Sequence, residues 1–258
     1  MFKIIFPEYT GQRYYHIHYL YLLEIFRYLK CDITFRKIDG CVININNTDF
    51  LFDYSDDATV IPKCDLPIFK FHTLEKDLDK VIPFPPISFL NWDQYYNLAR
   101  QIKYNPENNV VSNRQRPYGN ALERRNKVQS YLKGLLVEKY LKTEIIDQKA
   151  FWKEINDIWA FIHIGGYCQN IIDRAPFQIM AFGGLVISNK IPEQLPFRCN
   201  FDGCYLMCED NYSNLDYIIL EKPMQFLKRY RNIAEEAKIR FQNTSTPSAI
   251  GDWISLHV

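Results

Sequence analysis

Two stretches of the chain carry residue types whose spacing could do chemistry. The first is Val110–Arg125, VVSNRQRPYGNALERR, in which Arg114 and Arg116 and the turn Tyr118-Gly119-Asn120 separate a short β-branched run from a helical pattern. Guanidinium forks match phosphate oxygens, and a helix start adds unpaired N–H groups and a partial positive charge, so the segment reads as a diphosphate cradle. A surface loop whose arginines pair with carboxylates would carry the same letters. The second stretch is His163–Ser188, HIGGYCQNIIDRAPFQIMAFGGLVIS. A strand-like run reaches Gly165-Gly166, where backbone can approach a ligand closely. Asp173 stands where an N-cap belongs, Arg174 follows at the helix start where it could face an anion, and Pro176 falls in the first turn. Gly183-Gly184 then stops the helix. An ordinary αβ connection with good caps shares these features.

The elements that must position these residues follow from pattern. The chain has 258 residues, 47% of them hydrophobic and 24% charged, which is enough apolar material for one large or two small packed domains. The net charge of +1 supplies no general field for nucleic acid or an anionic membrane. Aromatic residues reach 16%, which suits ring or sugar stacking and equally suits aromatic-rich cores. The seven cysteines form no CxxC pair, so reduced thiols are expected, with neither a zinc site nor a disulfide framework. The first residues turn polar too soon for a signal peptide, and no apolar run is long enough to span a bilayer.

In the first half, residues 3–6 predict a strand and 13–30 a helix. Short strands follow at 31–36, 41–45, 49–53, 58–61 and 68–71, with Asn46-Asn47 as a hairpin tip. Tyr14, Tyr15, Tyr19 and Tyr21 are expected to serve mainly as core. Beyond a helix at 92–102 the pattern alternates: strands at 110–111, 144–146, 161–164, 185–187 and 205–207, and helices at 120–141, 151–158, 174–182, 213–220 and 224–241. Such alternation implies βαβ units and a parallel sheet, with ligands at the carboxyl ends of the strands. GxxxxGK[ST] and GxGxxG are both missing, which argues against a P-loop nucleotide hydrolase and a dinucleotide oxidoreductase.

The segment DRAPFQIMAFGGLVISNKIPEQLPF, Asp173–Phe197, resembles the donor-binding region of GT-B glycosyltransferases, and within them the exostosin-like branch of bacterial and large-DNA-virus type. NRQRPYGNALERR is similar to the opening of the donor-binding half. The resemblance covers roughly residues 105–240, and the first half by architecture alone. It implies two Rossmann-like lobes with a cleft between them: an acceptor-side lobe at 1–100 and a nucleotide-sugar donor lobe at 101–258, whose C-terminal helices cross back. It implies Arg174 near the diphosphate, Gly119 and Asn120 at a phosphate-facing turn and Gln178 at the ribose; together with the residues read above, the expected donor-binding set is Arg114, Arg116, Tyr118, Gly119, Asn120, Gly165, Gly166, Asp173, Arg174 and Gln178. Gln178 departs from the Glu that many relatives use on the ribose, which alters donor choice or weakens activity. The GT-B group handles its leaving diphosphate without an essential metal, and no cofactor beyond the nucleotide-sugar co-substrate is implied.

An inverting transferase needs a base for the acceptor hydroxyl. The candidates, in order, are Asp53 after the run 49–52, Glu8 after the first strand, and His16 at the first helix. A lone acid after a strand also serves as a cap or turn residue. The expectation is therefore a metal-independent hexosyl- or pentosyltransferase acting on a glycan acceptor in the cytoplasm, with no nucleic-acid partner. The basic run Lys228-Arg229-Tyr230-Arg231 is either a solvated face or a peripheral membrane contact. The rival expectation is a non-catalytic nucleotide- or glycan-binding module derived from the same fold.

Overall fold

The computed structural model describes residues 2–8, 16–38, 41–55, 60–71, 73, 75–117, 119–136, 138–165, 174–191, 203–220 and 226–258; the side chains of His16, Glu75 and Asn120 lie outside the description. The chain is α/β throughout and divides into two compact units. The first comprises 1–95, 194–200 and 242–258, and the second 96–193 and 201–241. Residues 242–258 group with the first unit, and residues 96–100 with the second.

The first unit is built on a six-stranded sheet. Its strands are β1 (Lys3–Pro7), β2 (Asp32–Arg36), β3 (Val42–Ile45), β4 (Thr48–Asp53), β5 (Ile68–Lys70) and β6 (Ile82–Pro83), in the order β2-β1-β3-β4-β5-β6. Only β3 runs against its neighbours; the other pairings are parallel. The reversal comes from the β3–β4 hairpin, where Ile45 pairs with Thr48 and the intervening Asn46 and Asn47 both take positive φ, 50° and 71°. Two such residues form the turn whose twist suits a tight hairpin, and asparagine tolerates it. The predicted strand at 58–61 is not found: Val60 and Ile61 are in no strand, and Ala58 and Thr59 lie outside the described residues.

Helix α1 (His16–Tyr28) packs Tyr21, Leu22, Ile25 and Phe26 inward. They join Phe6, Phe52, Phe69, Phe71 and Phe84, with Phe52 and Phe69 stacked at 4.9 Å. Much of the high aromatic content is therefore core. Tyr19 and Tyr21 are buried as expected, while Tyr14 and Tyr15 lie outside the described residues. Helix α2 (Trp92–Ala99) ends earlier than the pattern suggested.

The second unit has a wholly parallel five-stranded sheet. Its strands are β7 (Val111–Ser112), β8 (Leu141–Lys142), β9 (Ala160–His163), β10 (Val186–Ser188) and β11 (Leu206–Met207). Their order, β8-β7-β9-β10-β11, is that of a doubly wound sheet whose strand order reverses between β7 and β9. Every residue of β9 and β10 is buried, as strands covered on both faces require.

Helices α3 (Leu122–Leu135), α4 (Gln148–Lys153) and α5 (Arg174–Ala181) make the crossovers, with α6 (Leu215–Leu220) after β11. Strand β8 forms at 141–142 rather than 144–146 because α3 stops at Leu135 and Leu136 is already extended. Helix α4 starts on Asp147, whose carboxylate accepts the N–H groups of Lys149 and Ala150. Helix α7 (Leu227–Ser245) outruns its predicted end. The sequence reading missed α8 (Pro247–Ser255), although Thr246-Pro247 is a legible start signal. Trp253 of α8 donates to the Pro83 carbonyl at 2.9 Å.

Helix α5 ends in a tight left-handed cap. Gly183 has φ +78°, its N–H donates to Met180 O, and the Gly184 N–H donates to Ile179 O. A Cβ at Gly184 would stand 2.7 Å from Ile179 Cγ2 and 3.2 Å from Ile155 Cγ2. Both neighbours are buried β-branched side chains with little rotamer freedom. Gly184→Ala should therefore destabilise the protein by about 1–3 kcal/mol, read as a lower denaturation midpoint at unchanged slope.

Candidate functional site

In a doubly wound sheet the place to look is the carboxyl end of the strands where the order reverses, here β7 and β9. Strand β7 is only two residues long, yet its connection to β9 continues past the ladder. Asn113 is fully buried and donates through Nδ2 to Ile162 O at 2.7 Å. Gln115 accepts the Ile164 N–H at 2.5 Å. Gln129 of α3 donates to both Asn113 Oδ1 and Gln115 O, at 2.7 and 3.0 Å. Side-chain amides thus stand in for strand partners.

The carbonyls beyond β9 are held by arginine. Arg125, buried on α3, donates through Nε and Nη2 to Ile164 O at 3.3 Å and through Nη1 to Arg116 O at 2.9 Å. Arg124 donates to Gly165 O at 2.5 Å. The Gly165 N–H donates to the Tyr212 hydroxyl at 3.3 Å, and that hydroxyl donates to Asn189 Oδ1 at 3.0 Å. Both backbone groups of Ile164 and of Gly165 are therefore fixed by side chains from other elements. Beside them, His163 and Ser188, cross-strand partners on β9 and β10, share a buried hydrogen bond of 2.8 Å.

Arg114 and Arg116 meet different fates. Arg114 donates through Nε to Glu154 Oε2 at 2.6 Å and through Nη1 to the Glu144 carbonyl. Glu154 is 5% exposed and its partner 11%, so this is a buried ion pair. Arg114 is thus paired with a carboxylate, the alternative that its sequence left open. Arg116 is exposed, and its side chain enters no ion pair among the described residues. Gly119 is exposed with φ +54°, a left-handed turn that favours glycine. Asn120 lies in the short 3-10 turn before α3. Arg174 opens α5 and is half-buried. Gln178 faces inward on α5, where its carbonyl oxygen accepts Trp152 Nε1 at 3.1 Å and Gln148 Nε2 at 3.3 Å. That is packing against α4 rather than an open ligand contact. Tyr118, Gly166 and Asp173 lie outside the described residues.

Of the candidate acids, Asp53 ends β4 and Glu8 directly follows β1. Asp53 closes β4 and Lys70 closes β5, and the two are register partners. Lys70 is fully buried, and its ammonium meets Asp53 Oδ2 at 2.5 Å, while Asp53 Oδ1 accepts the Ser55 N–H. Asp53 is thus engaged at both oxygens. Glu8 follows β1, exposed, with its N–H on Arg36 O. His16 begins α1 and its side chain is outside the description. Among the described residues, His18 packs here, 5.0 Å from the Tyr54 ring and 5.4 Å from Phe71.

Among the described residues no three of His, Cys, Asp and Glu converge as metal ligands. Burial, with Asp210 and Glu209 adding to it, pushes the Cys208 thiol up to about 12, so at neutral pH it is not a thiolate. No helix among the described residues is long and apolar enough to cross a membrane.

Sequence reasoning missed Gln115, Gln129, Arg124, Arg125 and Tyr212. For Arg125 a signal existed: Arg125, Val128 and Leu132 share a helical face and are all buried. For Tyr212 none did.

No protein family and no curated protein matches the sequence. Among the solved structures that superpose in part are those of Anabaena HepE in complex with UDP and with UDP-glucose. Each is 13% identical, with TM-scores of 0.43 and 0.44, and each match covers 69% of this chain and 57% of that one. The chain thus matches less than two thirds of those proteins' length.

Arg114→Gln strands the Glu154 carboxylate in the interior and should cost about 3–5 kcal/mol of stability, whereas Arg116→Ala should stay within about 0.5 kcal/mol of the parent. Lys70→Met should likewise cost about 3–5 kcal/mol, and the double variant Lys70→Met, Asp53→Leu should regain much of it. Urea denaturation of the set checks all of these.

Proposed function

We propose that the second unit holds the diphosphate of a nucleotide-sugar donor at the carboxyl ends of β7 and β9, and that the protein transfers the sugar to a glycan hydroxyl. The observation that carries this reading is the side-chain hold on Ile164 and Gly165 at the strand-order reversal. A site for a charged, flexible ligand works best when its backbone is fixed beforehand, since little reorganisation then opposes binding or charge development. Arg116 is exposed, its carbonyl accepts from the same Arg125 that holds the Ile164 carbonyl, and Arg174 opens the helix that follows β9.

In the reaction the bond from the sugar's anomeric carbon to the donor diphosphate breaks as the acceptor oxygen bonds to that carbon. The charge left on the diphosphate is what Arg116, Arg174 and nearby N–H groups would stabilise. Arg114 contributes by bracing the loop. Of the acids proposed as base, Asp53 is held by Lys70, so the role passes to Glu8, with His16 next. The finer proposals are a GT-B enzyme of the exostosin-like branch, a hexosyl- or pentosyltransferase, metal-independent and cytoplasmic. The second reading, a non-catalytic nucleotide- or glycan-binding module, is favoured by the engagement of Asp53 and by the packing role of Gln178.

The test is thermal denaturation against a panel of nucleoside diphosphates and nucleotide sugars that includes UDP and UDP-glucose. A ligand at a hundred times its Kd stabilises by about 2.7 kcal/mol, a shift of about 5 °C or more for a chain of this size. Arg116→Ala should abolish the shift while keeping the parent's Tm. A shift unchanged in Arg116→Ala would refute the assignment of that residue, and flat curves across the panel would refute the donor site. Release of nucleoside diphosphate from the stabilising donor separates transferase from binding module.

A further inference from the structure

Tyr212 combines three features that its sequence context, Glu209-Asp210-Asn211-Tyr212-Ser213-Asn214, gives no reason to expect. It is a bulky residue with φ +62°, a left-handed backbone that such side chains rarely adopt. It is only 4% exposed, packed into the core cluster that includes Ile162, Ile164, Ile187 and Leu215. Its hydroxyl lies between two distant partners, accepting from the Gly165 N–H at 3.3 Å and donating to Asn189 Oδ1 at 3.0 Å. A left-handed tyrosine persists only where surrounding contacts over-determine it, and residues so held cluster at working sites.

We infer that Tyr212 is a positioning residue: its hydroxyl fixes the backbone of Gly165, the first glycine beyond β9, so that the ligand-binding end of the second unit is formed before the ligand arrives. The ring anchors in the core, and the left-handed backbone directs the hydroxyl to the strand end. Asn189 directly follows β10 and sets the hydroxyl's direction. Its Oδ1 also accepts from Ser188 Oγ at 3.5 Å, and Ser188 in turn meets His163. The network therefore ties together the chain leaving β9, β10 and β11. Arg124 holds the Gly165 carbonyl while Tyr212 holds its N–H, so loss of either leaves the residue fixed on one side only. For its ligand the inference rests on the nucleotide reading above; for its geometry it stands alone.

Tyr212→Phe removes the hydroxyl and keeps the ring. Residue-resolved amide hydrogen exchange and UDP titration are measured on the parent, on this variant and on Asn189→Ala, which keeps Tyr212 intact but removes its acceptor. The inference expects Gly165 exchange to accelerate by about tenfold or more in Tyr212→Phe, with Phe161 and Ile162 unchanged, and UDP affinity to fall by about tenfold. Asn189→Ala should shift both in the same direction, by less. Unchanged Gly165 exchange would overturn the inference. So would acceleration spread over the whole second unit, which would mark Tyr212 as a plain core residue. If the parent binds no nucleotide in the panel while Gly165 alone loosens in Tyr212→Phe, the positioning role stands and the nucleotide reading falls.

Discussion

Everything proposed for the second unit depends on how the chain is held where β9 ends. A parallel strand that outruns its ladder exposes N–H and C=O groups that must find partners. At Ile164 and Gly165 these partners are side chains: Gln115 and Tyr212 for the N–H groups, Arg125 and Arg124 for the carbonyls. Remove that hold and two residues of backbone lose their direction at the point where the strand order reverses. A guanidinium bonded to a carbonyl satisfies its donors and keeps its charge. The same side chains that brace the backbone thus bring positive charge to the strand end.

The first unit joins two strand ends by an ion pair. Lys70 and Asp53 close adjacent parallel strands and neutralise one another at the sheet edge. Such a pair contributes little net stability against an apolar substitute, but neither half can be removed cheaply. His18, Tyr54 and Phe71 pack beside the pair, so the edge is aromatic as well as ionic. The aromatic wealth of the sequence goes mostly into this kind of interior.

What could be read from the sequence, and what could not, divides along the range of the forces involved. The Asn46-Asn47 hairpin and the Gly183-Gly184 cap were legible because each is set by the backbone needs of the residues themselves. The parallel sheet followed from alternation, and its order places the candidate site without any motif. Arg114 and Arg116 show where local reading stops. They are two residues apart and alike in type, yet one is claimed by Glu154, 40 positions away, and the other is exposed. Gln178 was read as a departure from a ligand-binding glutamate; its partners Trp152 and Gln148 come from a helix that the local pattern placed a few residues late. Tyr212 left no trace, because a left-handed backbone at a tyrosine is imposed by packing and by a hydroxyl partner 47 residues away.

The most direct test of the central claim is a titration of the isotopically labelled protein with each nucleoside diphosphate of the panel, followed by two-dimensional NMR of its backbone amides and arginine Nε groups. The account predicts that the largest shifts fall on Asn113 to Arg116, on Ile164 and Gly165, and on the side chains of Arg116 and Arg124. A second place offers itself as a contrast: an open groove of about 570 Å³ along α7, lined by Lys228, Arg229, Asn232 and Glu236. Shifts confined to that groove, with Gly165 unmoved, would contradict the account and move the ligand to another face of the second unit.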